Sequence, residues 1–451
     1  MGRPIGWDSR RAVVAGQTLT PGEPQAPEPH RDYPVRDFPR HDATTQPPGH
    51  LATREDPVSS TTPRPWIDFI DGKFYAENVH SAYTWMREND PLYHDEKNDL
   101  FGVALHEDIM TLSKDFKTFC SGRGFRPDAP PLPMMISMDR PEHMTRRNLV
   151  NRGFTPRQVE SLEPRVREIC RGIISAAEAK GEFDFVRDVA APLPLIVIGD
   201  LLGVKEEDYD RLLRWSDDLM CALGTTDPEI LARQAQTVRE YAEYNAAVVA
   251  DRRAKPPADD LMSLLVHAEI DGESLDDESI LMESLLILIG GDETTRHVIS
   301  GGMHQLLLHP EQHRQLVDDP SKVASAVEEM LRWVTPIQNM MRTVTRDSEL
   351  RGKCLKEGDR LLLLYLSANR DEQVFDRPFD FDIARDPNPH VAFGGYGNHF
   401  CLGNALARLE LRVMFEELML RLPKIELTSS ETPSLRPANF VVGIEHLPVR
   451  V

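Results

Sequence analysis

The chain has 451 residues and a formal net charge of −21, which argues against a nucleic-acid-binding protein and favours a water-soluble one. Its five cysteines are widely spaced and form no CxxC pair, as expected for a reducing, intracellular environment. No stretch approaches the ~20 consecutive apolar residues of a transmembrane helix, so we predict no transmembrane segment and a cytoplasmic location.

The first 65 residues form a proline-rich leader without apolar periodicity. They contain 12 of the 35 prolines. We predict that residues 1–65 are disordered or loosely attached, with a docking arm for a partner as the functional alternative. The folded part then begins near Trp66, with a helix around residues 76–89 and a pair of strands near 92–105.

The segment 120–133 is rich in proline and glycine and precedes an apolar stretch at 134–136. A loop of this length is either a binding loop or lid, or a surface connector, and the residues alone leave both readings open. Farther on, between about residues 157 and 280, the apolar pattern predicts helix after helix. Among them are a buried helix at 191–203 that ends at a glycine and two longer helices, 215–223 and 230–254, whose joint could let them move as a lid.

A pair of hydrogen-bond donors follows the loop. His143 and Arg147 are four residues apart and share one helix face, so together they could hold a single anionic group, although such a pair is more often a solvated surface. Positive charge accumulates around them in an otherwise acidic chain, and a basic patch of this kind could bind an acidic electron donor. It comprises Arg140, Arg146, Arg152 and Arg157.

The stretch 284–300 is an apolar helix with unusual residues in its middle. Glycines such as Gly290 and Gly291 cost about 1 kcal/mol each in a helix interior. The adjacent Glu293 and Thr294 are costly to bury without hydrogen bonds. Close helix packing could explain the glycine pair, but it explains the acid and the alcohol poorly, so we interpret these two as functional.

Two later patterns are weak by themselves. Glu329 and Arg332 are three residues apart on a predicted helix, where they could form an ordinary surface ion pair. The C-terminal residues 435–449 read as a short strand, a turn and a second strand.

The most informative stretch is Phe393–Gly403, with the sequence FGGYGNHFCLG. Three glycines before Cys401 allow a tight backbone loop, and apolar residues recur at helical spacing after it. Amide groups and the dipole at the start of that helix would favour a thiolate, which could bind a metal ion. The alternative is a buried cysteine that acts as a small apolar residue.

Four of these patterns, in this order along the chain, resemble motifs of the cytochromes P450. They are the pair His143 and Arg147, the stretch 284–300, the pair Glu329 and Arg332, and the loop Phe393–Gly403. The resemblance covers about Trp66 to Val451 and leaves out the leader. It departs from the family pattern at Phe393, which lies one residue earlier than usual, a longer form that some members share. It implies a mainly α fold with small β-sheets, a single haem-thiolate domain over residues 66–451, haem b as the cofactor and Cys401 as the ligand of its iron.

The resemblance also implies roles for individual residues. Thr294 and Glu293 would assist oxygen activation and proton delivery. A buried structural ion-pair network is expected for Glu329, Arg332 and Arg385. Contacts with the haem are expected for His143, Arg147, Arg342, His399, Gly290 and Phe393. The expected substrate-pocket residues are Met134, Met135, Ile289, Val334, Ile337, Phe440 and Val441.

The implied activity is a monooxygenase that inserts one atom of O2 into an unactivated C–H bond. Residues 191–204 and 285–297, among others, look like bacterial members that hydroxylate a terminal side-chain carbon of cholesterol or cholest-4-en-3-one. The main alternative is omega-hydroxylation of methyl-branched lipids or fatty acids. A peroxide-driven enzyme or a non-catalytic haem-binding sensor would not need the Glu293–Thr294 pair. Since the sequence has no flavin or iron–sulfur motif, ferredoxin and a ferredoxin reductase are the expected electron donors.

Overall fold

The computed structural model describes residues 63–77, 79–222, 225, 227–258, 260–270 and 272–451, together with the backbone of a strand at 12–14. Apart from residues 12–14 and 63–65, the predicted leader lies outside the described residues. From Trp66 onward helices dominate and short strands gather in small sheets, which confirms the predicted fold class. No helix within these ranges has both the length and the apolar character needed to cross a lipid bilayer.

The helices account for most of the fold. Short 3-10 and π-helical turns connect several of them. The α-helices are α1 (Gly72–Ala76), α2 (Val79–Asn89), α3 (His106–Lys114), α4 (Glu142–Val150), α5 (Pro156–Ser161), α6 (Glu163–Glu178), α7 (Pro192–Leu202), α8 (Tyr209–Cys221), α9 (Pro228–Arg253), α10 (Leu261–Val266), α11 (Asp277–Leu308), α12 (Pro310–Asp318), α13 (Val323–Val334), α14 (Tyr365–Ala368) and α15 (Asn404–Arg421).

The strands form one five-stranded sheet and smaller sheets of two or three strands. They are β1 (Ala12–Val14), β2 (Leu92–Asp95), β3 (Leu100–Val103), β4 (Phe119–Cys120), β5 (Glu182–Asp184), β6 (Ala268–Ile270), β7 (Glu273–Ser274), β8 (Asn339–Val344), β9 (Ser348–Leu350), β10 (Lys353–Leu355), β11 (Arg360–Leu364), β12 (Glu426–Leu427) and β13 (Pro448–Arg450). The large sheet has the order β2-β3-β11-β8-β4. Only its β11–β3 pair is parallel, with Leu362 opposite Gly102, while on the other side Leu362 is opposite Met341 of β8.

Helix α11 is the longest element, with 32 residues. The side chain of Asp276 caps its first turn by accepting a hydrogen bond from the Ser279 amide. It packs against α7, α9, α13 and α15, so it runs through the core. Helix α7 confirms the predicted buried helix: it ends at Gly203, whose φ of 69° is a left-handed conformation that glycine adopts without strain.

The two predicted lid helices are present as α8 and α9. Helix α8 begins at Tyr209, earlier than predicted, because Leu212 continues the buried face formed by Trp215 and Leu219. Of the joint between them, residues 223, 224 and 226 lie outside the described residues.

The predicted ion-pair network is assembled in the interior. Glu329 and Arg332 are both fully buried and lie 2.7 Å apart, and Arg385 reaches the same carboxylate at 3.1 Å. The pair is therefore not a surface pair. The carboxylate also accepts hydrogen bonds from the Asp382 amide at 2.9 Å and the Asn388 side chain at 3.1 Å. In this way the network fixes helix α13 to the segment that leads into the cysteine loop.

Candidate active site

A cavity lies between the cysteine loop and the middle of α11. Cys401 and Phe393 line it on one side, and Gly290 and Thr294 of α11 line the opposite side. His143 and Arg147 of α4 also line the cavity, as do residues of β8 and α15. The two most specific sequence motifs therefore face each other across one space.

The cysteine loop is held by its own backbone and by α3. The Cys401 amide donates to the Phe393 carbonyl at 3.0 Å, and Gly394 adopts a φ of 92°. A Cβ at Gly395 or Gly397 would overlap Ser113 of α3. The glycines are therefore needed for the turn and for packing against α3.

The Cys401 sulfur lies in a setting that suits a metal ligand. Burial raises the pKa of the thiol, while the Gly403 amide and then Arg147 and Arg408 act in the opposite direction. Helix α15 begins three residues after the cysteine, at Asn404, so its dipole acts at some distance. A cation at the sulfur is what would make the thiolate the stable form.

Four nitrogen donors gather at one side of the cavity. The imidazole rings of His143 and His399 lie 4.1 Å apart between centroids. Burial, with the nearby charge of Arg147, lowers the pKa of His143 to about 4; burial and Arg342 lower that of His399 to about 2. Both rings are therefore neutral at pH 7.

The two arginines of this group have no acidic partner. Arg147 donates to the Phe400 carbonyl at 2.6 Å, and Arg342 to the Met341 carbonyl at 2.8 Å. Across the described part of the chain, neither has a carboxylate within ion-pairing distance, and Nδ1 of His143 has no hydrogen-bond partner. A flat cofactor that offers acidic substituents here and a metal at Cys401 fits this set of donors.

The glycine pair of α11 has two different functions. A Cβ at Gly291 would come within 2.8 Å of Ile198 on α7, so this glycine permits close packing of two helices. A Cβ at Gly290 would meet no atom within 4 Å, and this position opens toward the cavity. The Thr294 hydroxyl donates to the Gly290 carbonyl at 3.0 Å.

Helix α11 is continuous through Gly290, Gly291 and Thr294. The hydroxyl of Thr294 and the amide in the regular helix ladder can both bond the same carbonyl, since a carbonyl has two lone pairs. Space beside Thr294 therefore comes from the missing side chain at Gly290, not from a break in the helix.

Glu293 does not line the cavity, although the sequence placed it with Thr294 in a functional pair. Its carboxylate is fully buried behind α11, where it lies 3.0 Å from Arg296, 3.2 Å from His297 and 3.2 Å from Arg436. Burial alone would raise the pKa of Glu293, but Arg296, then His297 and Arg436, lower it to about 2. The carboxylate is ionised and held by its partners.

The predicted substrate residues divide into groups. Met135 and Ile337 line the cavity. Ile289, Phe440 and Val441 belong to an apolar cluster that also contains Ile337, which connects the cluster to the cavity. Their placement beside the cavity agrees with a site for a large apolar substrate.

Two of these predictions place a residue in the wrong environment. Met134 is buried but does not line the cavity. Val334, the last residue of α13, lines a second cavity on another side of α11, because its side chain packs where Gly301 leaves room. Val334 is therefore close to the active-site cavity along the chain, but its side chain points from the end of α13 into the second cavity.

The loop 120–133 does not line the cavity, but Phe125 packs against the apolar cluster that adjoins it, which favours the binding-loop reading over a surface connector. Phe125 packs edge to face on Phe440, with ring centroids 5.6 Å apart, and its carbonyl accepts a hydrogen bond from the Met341 amide at 2.9 Å. In the C-terminal segment that it contacts, the first predicted strand is reduced to isolated antiparallel bridges, Leu435 with Ile444 and Val441 with Ile337, and the end of the segment enters β13.

Sequence reasoning missed Glu410, which lines the cavity from α15. A signal was present, because Glu410 follows the buried Leu406 by four residues and precedes the buried Val413 by three. That spacing places an acid on the apolar face of the helix. Tyr365 and Phe400 also line the cavity and had no comparable signal.

Known proteins resemble this chain over most of its length. A family model described as Cytochrome P450 matches residues 104–324 and 323–447. A steroid C26-monooxygenase of Mycobacterium tuberculosis is 48% identical over 86% of this chain and 98% of its own length. A methyl-branched lipid omega-hydroxylase of the same species is 37% identical over 89% of this chain and 90% of its own length. Among solved structures, a Mycobacterium marinum cytochrome P450 in complex with pseudoionone has a TM-score of 0.80 and 33% identity, covering 87% of this chain and 100% of that chain.

The geometry and the comparisons agree. A half-buried cysteine faces a glycine and a threonine across a cavity, and two arginines that meet no carboxylate among the described residues lie at its side. On these grounds the chain belongs to the cytochrome P450 family.

Proposed function

We propose that this protein hydroxylates a terminal side-chain carbon of cholesterol or cholest-4-en-3-one, with O2 as the oxidant. Membership of the family implies a haem, electron donors and a hydrophobic substrate; haem b, ferredoxin with its reductase, and a cytoplasmic location are part of the proposal. The observation that carries the choice of substrate is the apolar cluster around Phe440, which adjoins the cavity, together with the similarity to the steroid C26-monooxygenase.

The chain offers a place for each part of the haem. Cys401 would bind the iron, and Arg147, Arg342 and His143 would bind the acidic substituents. Phe393 lines the cavity beside the cysteine, and Arg408 lies over its outer face, 4.5 Å from the ring centroid. The bound haem supplies the activation of O2 and the oxidation of the C–H bond.

On the α11 side of the cavity, one hydroxyl can transfer protons and the apolar side chains exclude water. The hydroxyl of Thr294 faces the cavity and can donate or accept a proton there. Since the Glu293 carboxylate does not reach the cavity, it would affect the Thr294 hydroxyl only indirectly, through intervening side chains or water molecules. The neighbouring apolar side chains exclude water and leave selectivity to the shape of the pocket.

A specific observation also favours a second substrate class. The methyl-branched lipid omega-hydroxylase is similar over nearly the same span, and a long branched chain would suit the same apolar cluster. Both readings place a terminal methyl carbon at the reacting end of the cavity.

For electron transfer we propose docking on the basic patch and the cysteine loop. Arg140, Arg152 and Arg157 are exposed. Arg146 differs, because it is partly buried and donates to the Ser279 hydroxyl at 2.7 Å. The exposed arginines are therefore the appropriate targets for a docking test.

The substrate proposal is tested by titrating the haem-containing ferric protein with cholest-4-en-3-one and, separately, with a methyl-branched fatty acid. Displacement of water from the iron changes the visible spectrum, and saturation gives the dissociation constant. Tight saturation by the sterol, followed by mass-spectrometric detection of the terminal alcohol after turnover, is the expected result. A spectral response to the fatty acid alone would favour the methyl-branched lipid as the substrate class. Hydroxylation of the sterol at a ring carbon would contradict terminal hydroxylation, which both proposals require.

A further inference from the structure

The second cavity, which Val334 lines, is separate from the active-site cavity. It is enclosed by α2, α11, the end of α13 and the C-terminal segment 432–444, and its volume is about 340 Å³. Small-molecule sites in proteins occupy about 300–1,000 Å³. Among the described residues, the two cavities have no lining residue in common. The second cavity is therefore large enough for a ligand of its own.

Three histidines line this cavity. His80 of α2 and His304 of α11 form no hydrogen bond with the other described residues. His297 is 1% exposed; its Nε2 lies 3.2 Å from the Glu293 carboxylate, and its Nδ1 has no hydrogen-bond partner within the described ranges. The described His, Cys, Asp and Glu side chains form no group of three that could hold a metal ion. The rings of His80 and His304 are therefore available to an organic ligand as hydrogen-bonding groups.

The cavity wall also contains a buried cation, Arg370, which is 2% exposed. Two of its N–H groups donate to carbonyls at the end of α13, that of Arg332 at 3.0 Å and that of Trp333 at 2.8 Å. The guanidinium lies over the Trp333 ring, 4.3 Å from its centroid. A guanidinium has five N–H donors, and Nε of Arg370 has no partner in the described part of the chain. Capping of α13 therefore uses only some of the donors of this side chain.

Arg370 also lacks a counter-charge. Among the described residues, no carboxylate lies within ion-pairing distance of its guanidinium. Glu329, the acid that acts on it, is already shared by Arg332 at 2.7 Å and Arg385 at 3.1 Å. Burial and then Arg332 lower the pKa of Arg370 well below its usual value, and burial and then Arg370 lower the pKa of His80 to about 4. A bound anion would supply the missing negative charge.

Much of the remaining wall is apolar. Trp333, Val334, Leu366 and Leu435 contribute to it. Glu77 also lines the cavity, but it is exposed, so solvent screens its charge. The wall thus combines a buried positive charge and neutral imidazoles with apolar surface, which are the groups that a carboxylate with an apolar body requires.

We propose that the second cavity binds a small organic carboxylate, whose charged group lies at Arg370 and His80 and whose apolar body lies along Trp333, Val334 and Leu435. The ligand takes no part in the oxidation, and no bond is formed or broken. The proposal goes beyond the proposed function, because it concerns a second site and does not depend on which substrate the active site takes.

The proposal is tested by calorimetric titration of the haem-containing protein with octanoate. The protein is first saturated with 4-phenylimidazole, which binds the haem iron and fills the active site, and the visible spectrum reports that it stays bound. Saturable binding of one octanoate per chain is the expected result. Octan-1-ol has the same apolar chain without the charge, so it should bind at least about tenfold more weakly, as the loss of a charge-assisted hydrogen bond predicts.

Variants locate the binding site. Arg370→Gln should weaken octanoate binding about tenfold or more, and His80→Ala should weaken it severalfold. Val334→Phe fills the cavity and should abolish binding. Ile337→Ala, which changes the active-site cavity, is the matched control and should leave the octanoate affinity unchanged. Since Arg370 also caps α13, Arg370→Gln could fail to fold; Val334→Phe and His80→Ala then decide.

Four outcomes would overturn the proposal. They are the absence of octanoate binding, equal affinity for octan-1-ol, wild-type affinity in folded Arg370→Gln or Val334→Phe, and displacement of 4-phenylimidazole by octanoate, which would place the acid in the active site. The titration needs no turnover. If the protein oxidises no sterol but binds octanoate as expected, the proposed substrate fails and the second site is retained.

Discussion

Glu293 and Arg436 lie 3.2 Å apart in the protein interior, and this contact ties the middle of α11 to the C-terminal segment. The same carboxylate lies 3.0 Å from Arg296, which in turn reaches Asp217 of α8 at 2.8 Å. Glu293 thus joins three parts of the fold. Its neighbour Thr294 faces the cavity from the other side of the helix.

Glu293→Gln should destabilise the fold strongly. The substitution leaves the buried cations of Arg296 and Arg436 with only the partly exposed Asp217 as a counter-charge, and removing one partner of a buried ion pair typically costs about 3–5 kcal/mol. Urea unfolding measures the change in the free energy of unfolding. Glu240→Gln on α9 removes an acid from an ion pair near the surface and should cost much less. Equal effects of the two variants would contradict the structural role of Glu293.

The same residue predicts a pH dependence. Because the pKa of Glu293 in the folded protein is lowered to about 2, its stabilising effect is fully present above the usual value near 4.5 and is lost as the pH falls through about 2. The free energy of unfolding of the wild-type protein should therefore decrease over this acid range. Glu293→Gln should show a shallower decrease, and identical slopes would contradict the assignment.

Thr294→Ala should uncouple electron consumption from product formation. The substitution removes the hydroxyl that faces the cavity, while α11 keeps its backbone hydrogen bonds. Product per NADH should fall and peroxide release should rise. Thr294→Ser keeps the hydroxyl and should retain most of the coupling. Unchanged coupling in Thr294→Ala would refute the role of this hydroxyl in proton delivery.

Arg147→Ala and Arg342→Ala should weaken haem retention. Each loses a charge-assisted hydrogen bond worth about 1.5–3 kcal/mol, so haem should transfer to excess apomyoglobin roughly ten times faster or more. The exposed Arg157 is a suitable control, since Arg157→Ala should not change the transfer rate. Wild-type transfer rates in both cavity variants would show that these arginines do not hold the cofactor.

Ile337→Ala and Val334→Ala separate the two cavities. Ile337 lines the active-site cavity, so its truncation should weaken sterol binding roughly tenfold in the spectral titration. Val334 lines the second cavity, and its truncation should leave the dissociation constant unchanged. Weaker binding in Val334→Ala alone would mean that the sterol occupies the second cavity.

Charge reversal at the exposed arginines should slow reduction by ferredoxin. Arg152→Glu and Arg157→Glu should lower the rate of the first electron transfer, more strongly at low salt, without changing sterol affinity. Arg233→Glu on α9 provides a control at an exposed position outside the patch. Stopped-flow reduction measures the rate, and equal slowing by all three variants would reject a specific docking site.

Local sequence was sufficient for features that depend on neighbours along the chain. The buried helix ending at Gly203 was predictable because an apolar run and a terminal glycine suffice to define it. The turn before Cys401 was predictable because Gly394 adopts a left-handed backbone that glycine tolerates, whereas Gly395 and Gly397 are explained by their packing against Ser113 of α3. The order of motifs along the chain was enough to indicate the family, and the match of the family model confirmed it.

The tertiary structure decided which side of each helix meets which neighbour. Sequence placed Glu293 in a functional pair, but only the packing of Arg436 from the C-terminal segment showed that its carboxylate points away from the cavity. It also separated Val334 from the substrate residues. Helical periodicity assigns a residue to a buried face, whereas the partner on that face comes from distant parts of the chain. That partner sets whether a buried acid is ionised or keeps its proton.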